Sequence, residues 1–253
     1  QINYLPSLTK PHSYALSGFY PYATQSNGEM AVQAQVTYKI PKKTKIGGEF
    51  GADLTVNYSR VHDIKRTAIA DTIPIGKPGT LGYSSPFFGV GDEKFFEDFN
   101  IAFGRRINRK LRLNAEYVYL VYNVDVIEGY PKGLIHAHVG IVDMSYRLKN
   151  NRSIRGEAQH LYTKQGDGNW AMLAFEYTIA SKFTLGIQDL YNYGNSVAEK
   201  RNHYYLGSFA YTKQSTRVAL SYGKQREGIV CVGGVCRNMP ASYGMLMSIT
   251  TNF

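Results

Sequence analysis

The chain has 253 residues, enough for one β-barrel or two small soluble domains. Hydrophobic residues at 43% are too many for a disordered chain, and no apolar run reaches the ~18 residues that a spanning helix needs. A net charge of +10 calls for anionic partners, but the basic residues gather at turns rather than in one run or helix, which favours lipid headgroups or an acidic partner over nucleic acid.

Residues 1–29 carry Pro6, Pro11 and Pro21 and make poor strand material, while Tyr14, Phe19, Tyr20 and Tyr22 suit an aromatic-packed segment on the outer side. From residue 30 onward the sequence alternates with period two. This predicts eleven strands over 30–40, 45–64, 95–107, 111–130, 134–148, 153–165, 169–180, 183–195, 202–214, 217–232 and 235–253. Within 45–64, Ile46, Phe50, Ala52, Leu54, Val56 and Tyr58 form one apolar face. Leu111, Leu113, Ala115, Tyr117, Tyr119 and Val121 repeat the pattern in 111–130. The strand 134–148 changes phase between Ile135–Ile141 and Val142–Leu148, which predicts a bulge. Ala171, Leu173, Phe175, Tyr177 and Ile179 share a face, as do Val218, Leu220 and Tyr222. In the last strand Tyr243, Met245, Met247, Ile249, Thr251 and Phe253 alternate with small or polar residues, Leu246 excepted.

Many of these strands exceed the five or six residues usual in soluble sheets, and about 9 to 11 tilted residues suffice to cross a bilayer. Short connections at 41–44, 108–110, 149–152, 181–182 and 215–216 lie on one side; the longer 65–94, 196–201 and the tip around Gly233 lie on the other, where 131–133 and 166–168 are short too. With aromatics at 13%, the expected fold is all-β, an antiparallel transmembrane β-barrel with about 11 to 12 visible strands, in which residues 1–253 form a single barrel domain or the C-terminal part of a larger one. A soluble β-sandwich is the competing architecture. Phe253, closing an alternating apolar strand, resembles the terminal signal that bacterial outer-membrane assembly machinery reads. The stretches REGIVCVGGVCRNMP (226–240), EAQHL (157–161), YNYG (191–194) and NYLPSLTK (3–10) resemble an uncharacterised family of Bacteroidota outer-membrane proteins. That resemblance runs nearly end to end, matches the C-terminal half of a longer member, and implies a location and a barrel rather than a reaction. Closed bacterial barrels usually have an even strand count. Eleven therefore requires either a twelfth strand at His12–Tyr20 or strands preceding residue 1, and the prolines favour the second.

The polar strand faces define the candidate site. Glu49 and Asp53, Arg112 and Glu116, Arg155 and Glu157, and Glu176 are expected to line the lumen, joined by Gln33, Gln35, Asn57, Asn114, Gln159 and Gln188. They either line a water-filled channel or pair across strands and close it. Cys231 and Cys236 flank a two-glycine hairpin turn as directly opposed residues, which predicts a disulfide in an oxidising compartment. His136 and His138 share a strand face, but no carboxylate or cysteine completes a ligand set. His160 and Asp189 suit interfacial positions, and Asp92, Glu93, Glu97 and Asp98 lack EF-hand spacing. The Gly-rich loop 65–94, with Tyr83, Phe87 and Phe88, is long enough to enter the lumen, meet a partner or pack over the barrel mouth. No catalytic residue, metal or cofactor is assigned. The expected function is a non-enzymatic outer-membrane barrel acting as a pore or as a structural subunit of an envelope assembly, with its longer loops outward. Its expected partners are outer-membrane lipid, other outer-membrane proteins or a preceding part of the same barrel, and not nucleic acid. The alternatives are an outer-membrane hydrolase using His136 or His138, or a soluble β-sandwich binding protein.

Overall fold

The computed structural model describes residues 6–25, 28–73, 75, 82–180, 182–232 and 235–251, and for 228–239 the backbone alone. In chain order the strands are β1 (Glu29–Ile40), β2 (Ala52–Ile64), β3 (Thr67–Ala68), β4 (Tyr83–Ser84), β5 (Val90–Arg106), β6 (Leu111–Asn123), β7 (Leu134–Arg147), β8 (Ser153–Thr163), β9 (Trp170–Ile179) and β10 (Phe183–Asn192). They continue with β11 (His203–Lys213), β12 (Thr216–Gln225), β13 (Gly228–Val232), β14 (Val235–Met239) and β15 (Ser242–Thr251). Among the described residues helix is confined to single turns at Ser17–Phe19, α1 (Val124–Ile127) and Ala198–Lys200.

Eleven strands form one antiparallel sheet in the order β1-β2-β5-β6-β7-β8-β9-β10-β11-β12-β15, while β3 with β4 and β13 with β14 make separate hairpins. The period-two alternation and the short connections account for this up-and-down order, because each strand pairs with the next one the chain can reach. Asn150 and Asn151, at φ 58° and 53°, turn the chain between β7 and β8, a conformation that asparagine tolerates.

The expected closed barrel is not what is seen. Among the described residues β1 pairs only with β2 and β15 only with β12, so the sheet is open. With eleven strands alternating in direction, β1 and β15 run the same way and cannot complete an antiparallel ladder with each other.

Four local expectations are corrected. The strand expected from residue 45 begins at Ala52, because Gly48 and Gly51 take φ of 61° and 82° and turn the chain instead. The strand expected to reach residue 130 stops at Asn123, whose side chain accepts from the Val126 N–H and caps α1. The long final strands break at 226–227 and 240–241, where Pro240 lacks a ladder donor, leaving β13–β14 as its own hairpin. The bulge expected in β7 is absent: its registers with β6 and β8 are continuous. The change of phase instead reflects a reversal of polarity along an uninterrupted strand.

Residues 6–25 form no strand. They cross one face of the sheet, called inner here, and enter the core. Leu16 is fully buried there with Val61, Phe96, Val118, Leu120, Tyr122, Val139, Leu161 and Trp170.

Candidate functional site

The registers assign every strand residue to a face. Toward the short-turn end, one row of directly paired residues runs Tyr146, Ile154, Tyr177, Leu185, Phe209, Leu220 and Met247 across β7 to β15. A second runs Met144, Gly156, Phe175, Ile187, Gly207, Tyr222 and Met245. Both lie on the outer face and contain no charge. Leu185, Ile187 and Met245 are 48%, 66% and 71% exposed. The inner row between them reads Ser145, Arg155, Glu176, Gly186, Ser208, Ser221 and Leu246. The same length of the same strands is thus apolar outside and largely polar or small inside.

Toward the loops the outer face changes character. A row of Tyr58, Phe99, Tyr119, His138 and Tyr162 crosses β2 to β8, with the Tyr119 and His138 rings 4.9 Å apart. Further along, the Tyr191 and His203 rings stack at 3.9 Å and the Tyr222 and Tyr243 hydroxyls meet at 2.7 Å. His136 and His138 belong to this belt: their Nδ1 atoms lie 2.9 and 2.8 Å from the hydroxyls of Tyr119 and Tyr117. His160 Nε2 lies 2.5 Å from the Tyr193 hydroxyl, and His203 Nδ1 lies 2.7 Å from Asp189 Oδ2. These histidines engage neighbouring aromatic or acidic residues. Among the described residues no three His, Cys, Asp or Glu side chains cluster as a metal site.

The inner face is organised by the segment 6–25. Alternate residues from Lys10 to Leu16 each meet a strand. Lys10 Nζ donates to Asn100 Oδ1 at 2.7 Å and pairs with Glu116 at 3.1 Å. His12 Nε2 lies 2.8 Å from Asp98 Oδ2. Tyr14 donates to Asp143 Oδ2 at 3.2 Å, and the Leu16 N–H donates to Gln159 Oε1 at 2.8 Å. Beyond the turn at Ser17–Phe19, Phe19 meets Trp170 edge-on at 5.1 Å and Tyr22 stacks on Phe96 at 5.2 Å.

Asp98 is the most demanding of these partners. It has no exposure, and its other oxygen accepts from Asn100 Nδ2 at 2.9 Å. A buried carboxylate is tolerable only when paired and hydrogen-bonded, which makes His12 part of the sheet's own electrostatic balance. Burial and the nearby Asp143 carboxylate push the Tyr14 phenol up to about 12. Burial raises Tyr20 to about 12 as well. Desolvation lowers Arg226 from its ordinary value. Its guanidinium lies 3.6 Å over the Phe19 ring and closes the far end of the segment.

Six of the seven charged residues expected to share a face do so: Asp53, Arg112, Glu116, Arg155, Glu157 and Glu176 all project inward by register. Arg155 gathers Asp143 at 3.1 Å, Glu176 at 3.5 Å and Glu157 into one network. Asp53 and Arg112 stand apart at the short-turn end. Glu49 is not on the strand but exposed in the connection before β2. Sequence reasoning missed Lys10, His12, Tyr14, Asp98 and Asp143. The first three alternate within a proline-rich stretch, and Asp98 continues in phase with Asn100, which were the available signals.

The backbone pairs Cys231 with Cys236 and Val232 with Val235 as expected. The cysteine side chains, and hence the disulfide, lie outside the described residues, as does Phe253. In the loop 65–94, β3 and β4 pair, and Phe87 and Phe88 project at 87% and 80% exposure rather than packing over the sheet. Of the acidic group beyond it, Glu97 pairs with Lys94 while Asp98 faces inward to His12.

The chain belongs to a family of unknown function (DUF6029), whose model matches residues 1–253. No curated protein matches it.

Proposed function

We propose that this chain is part of an integral outer-membrane β-barrel, of the kind found in Bacteroidota, whose interior is sealed by residues 6–25 and which serves as a structural subunit of an envelope assembly rather than as an open pore. One observation carries the membrane reading: the uncharged outer rows over strands whose inner rows hold Arg155, Glu157 and Glu176. A soluble sheet has no reason to leave so continuous an apolar face bare, whereas lipid covers it without further chain. The Tyr and His belt then sits at one headgroup level. From His138 to Tyr146 is about 27 Å of strand at ~3.4 Å per residue. At a tilt of ~40° this rises about 21 Å, most of the ~25 Å apolar band of outer-membrane barrels.

The free edges of β1 and β15 support a wall completed by further strands. Because the two edges run the same way, an antiparallel closure needs an odd number of additional strands. The network of Lys10, His12 and Tyr14 favours the sealed interior over the pore, since its partners are held on three adjacent strands, β5 to β7. Planar-bilayer recording tests this reading. The sealed barrel predicts a silent protein that gains stepwise conductance when Lys10 and His12 are both replaced by alanine. Steady conductance from the unaltered protein would instead establish the pore.

A further inference from the structure

The end of the sheet opposite the core holds a second feature that neither the segment 6–25 nor the apolar face explains. A cavity of about 530 Å³ lies where β1, β2, β5 and β6 meet the turn before β2. Its walls include Lys39, Lys42, Arg105, Arg106 and Arg112, and one carboxylate, Asp53. Among the described residues none of these five cations forms an ion pair, whereas Lys10 and Arg155 on the inner face do.

Lys39, Lys42, Arg106 and Arg112 are exposed at the cavity, and Arg105 is the half-buried one. The Arg105 guanidinium packs against Gly48 so tightly that a Cβ there would lie 2.3 Å from Nη2, and its Nε is buried with no partner. Arg106 lies 5.8 Å over the Phe50 ring. Arg112 donates through Nε to Asn114 at 3.3 Å, an arrangement that holds the side chain by one nitrogen of its fork. Five like charges around one cavity repel one another and attract an anion. Guanidinium forks match the oxygens of a phosphoryl group, and several donors from different walls suit a tetrahedral, multiply charged anion better than a planar monocarboxylate.

We propose that this cavity is a binding site for a phosphate-bearing ligand, with Arg105, Arg106 and Arg112 as the principal donors and Lys39 and Lys42 completing the charge. The site requires no membrane, so its failure and that of the barrel reading are separable. The phosphoryl group comes from a soluble ester or from a lipid headgroup, and one experiment distinguishes them.

The full chain, purified in uncharged detergent at low ionic strength, is titrated calorimetrically with inorganic pyrophosphate. In parallel, its binding is compared on vesicles of phosphatidylcholine with and without phosphatidylglycerol. A soluble ligand predicts saturable one-to-one binding of pyrophosphate that weakens at least tenfold in R106Q and in R112Q. It also predicts no more than a twofold change in R109Q, which removes a turn cation outside the cavity. A headgroup ligand predicts the same pattern of variants for the phosphatidylglycerol-dependent binding alone. Unchanged thermal unfolding of R106Q or R112Q shows that the loss is not misfolding. Saturable binding to neither probe, or equal weakening by R109Q, overturns the proposal.

Discussion

Strands β7 and β15 alternate equally well in sequence, yet they live in different surroundings. In β7 the inner residues Ile135, Ala137, Val139 and Ile141 are buried beneath the segment 6–25 and its neighbours. In β15 every described residue is exposed on both faces, with Met245, Met247 and Ile249 at 60% or more. Alternation therefore determines which residues share a face but not what covers that face. Cover comes from chain far away in sequence, and at β15 nothing described supplies it. Strand β7 also joins two regimes, apolar inside near the loops and apolar outside near the turns, which is why its pattern changes phase without a bulge.

The largest break in this contrast comes from the partner of Asp98. His12→Ala leaves a fully buried carboxylate without its principal partner and should cost about 3–5 kcal/mol of stability. Denaturant unfolding in detergent measures this, and an equivalent change on the exposed edge, Ser248→Ala, should be near neutral. Next, a charge on the outer apolar rows distinguishes lipid from water. Ile187→Arg should cost about 2–4 kcal/mol in a bilayer, whereas Gln188→Arg on the adjoining inner position should cost far less. Equal effects at the two sites would contradict the facing of β10.

Smaller effects sharpen the same contrast. Tyr14→Phe removes one hydrogen bond to a charged group and should cost about 1.5–3 kcal/mol. The Tyr14 phenol is raised to about 12, from an ordinary value near 10. The contribution of that shift is therefore fully present below pH ~10 and disappears as pH rises through 12. Alkaline titration followed by tyrosinate absorbance should show the segment loosening in that window, later than in an unfolded chain. Smallest is the hairpin β13–β14, which lies outside the eleven-stranded wall. Two cysteines opposed across it should resist alkylation until reduced, and replacing both with serine should move the unfolding midpoint of the wall by less than about 0.5 kcal/mol.

Much of the wall was legible in the sequence because period-two patterns are local. The strands expected over 134–148 to 202–214 appear close to their expected places, and Arg112 with Glu116 and Arg155 with Glu157 share a face because residues an even number apart on a strand must. What was illegible depends on distance. The contacts of Leu16 with Gln159 and of His12 with Asp98 span 143 and 86 residues, and no local period announces such pairs. Pro6, Pro11 and Pro21 argued correctly against a strand but said nothing about where a non-strand would lie. Glu49 was misplaced because Gly47, Gly48 and Gly51 read as strand glycines, while two of the three occupy left-handed turn positions. The cation cavity escaped notice for the opposite reason: Lys39, Lys42, Arg105 and Arg106 are individually ordinary turn-end charges, and only the pairing of β1, β2 and β5 brings them together.

The central claim is that the two faces of the strands meet different media. It is tested most directly by placing an environment-sensitive fluorophore, one cysteine at a time, along residues 172–177 of β9 in a background with Cys231 and Cys236 replaced by serine. The reconstituted protein is then quenched with brominated lipid. The account predicts alternation, with Leu173, Phe175 and Tyr177 strongly quenched and Met172, Ala174 and Glu176 protected. Uniform protection at all six positions, or quenching without alternation, would contradict it.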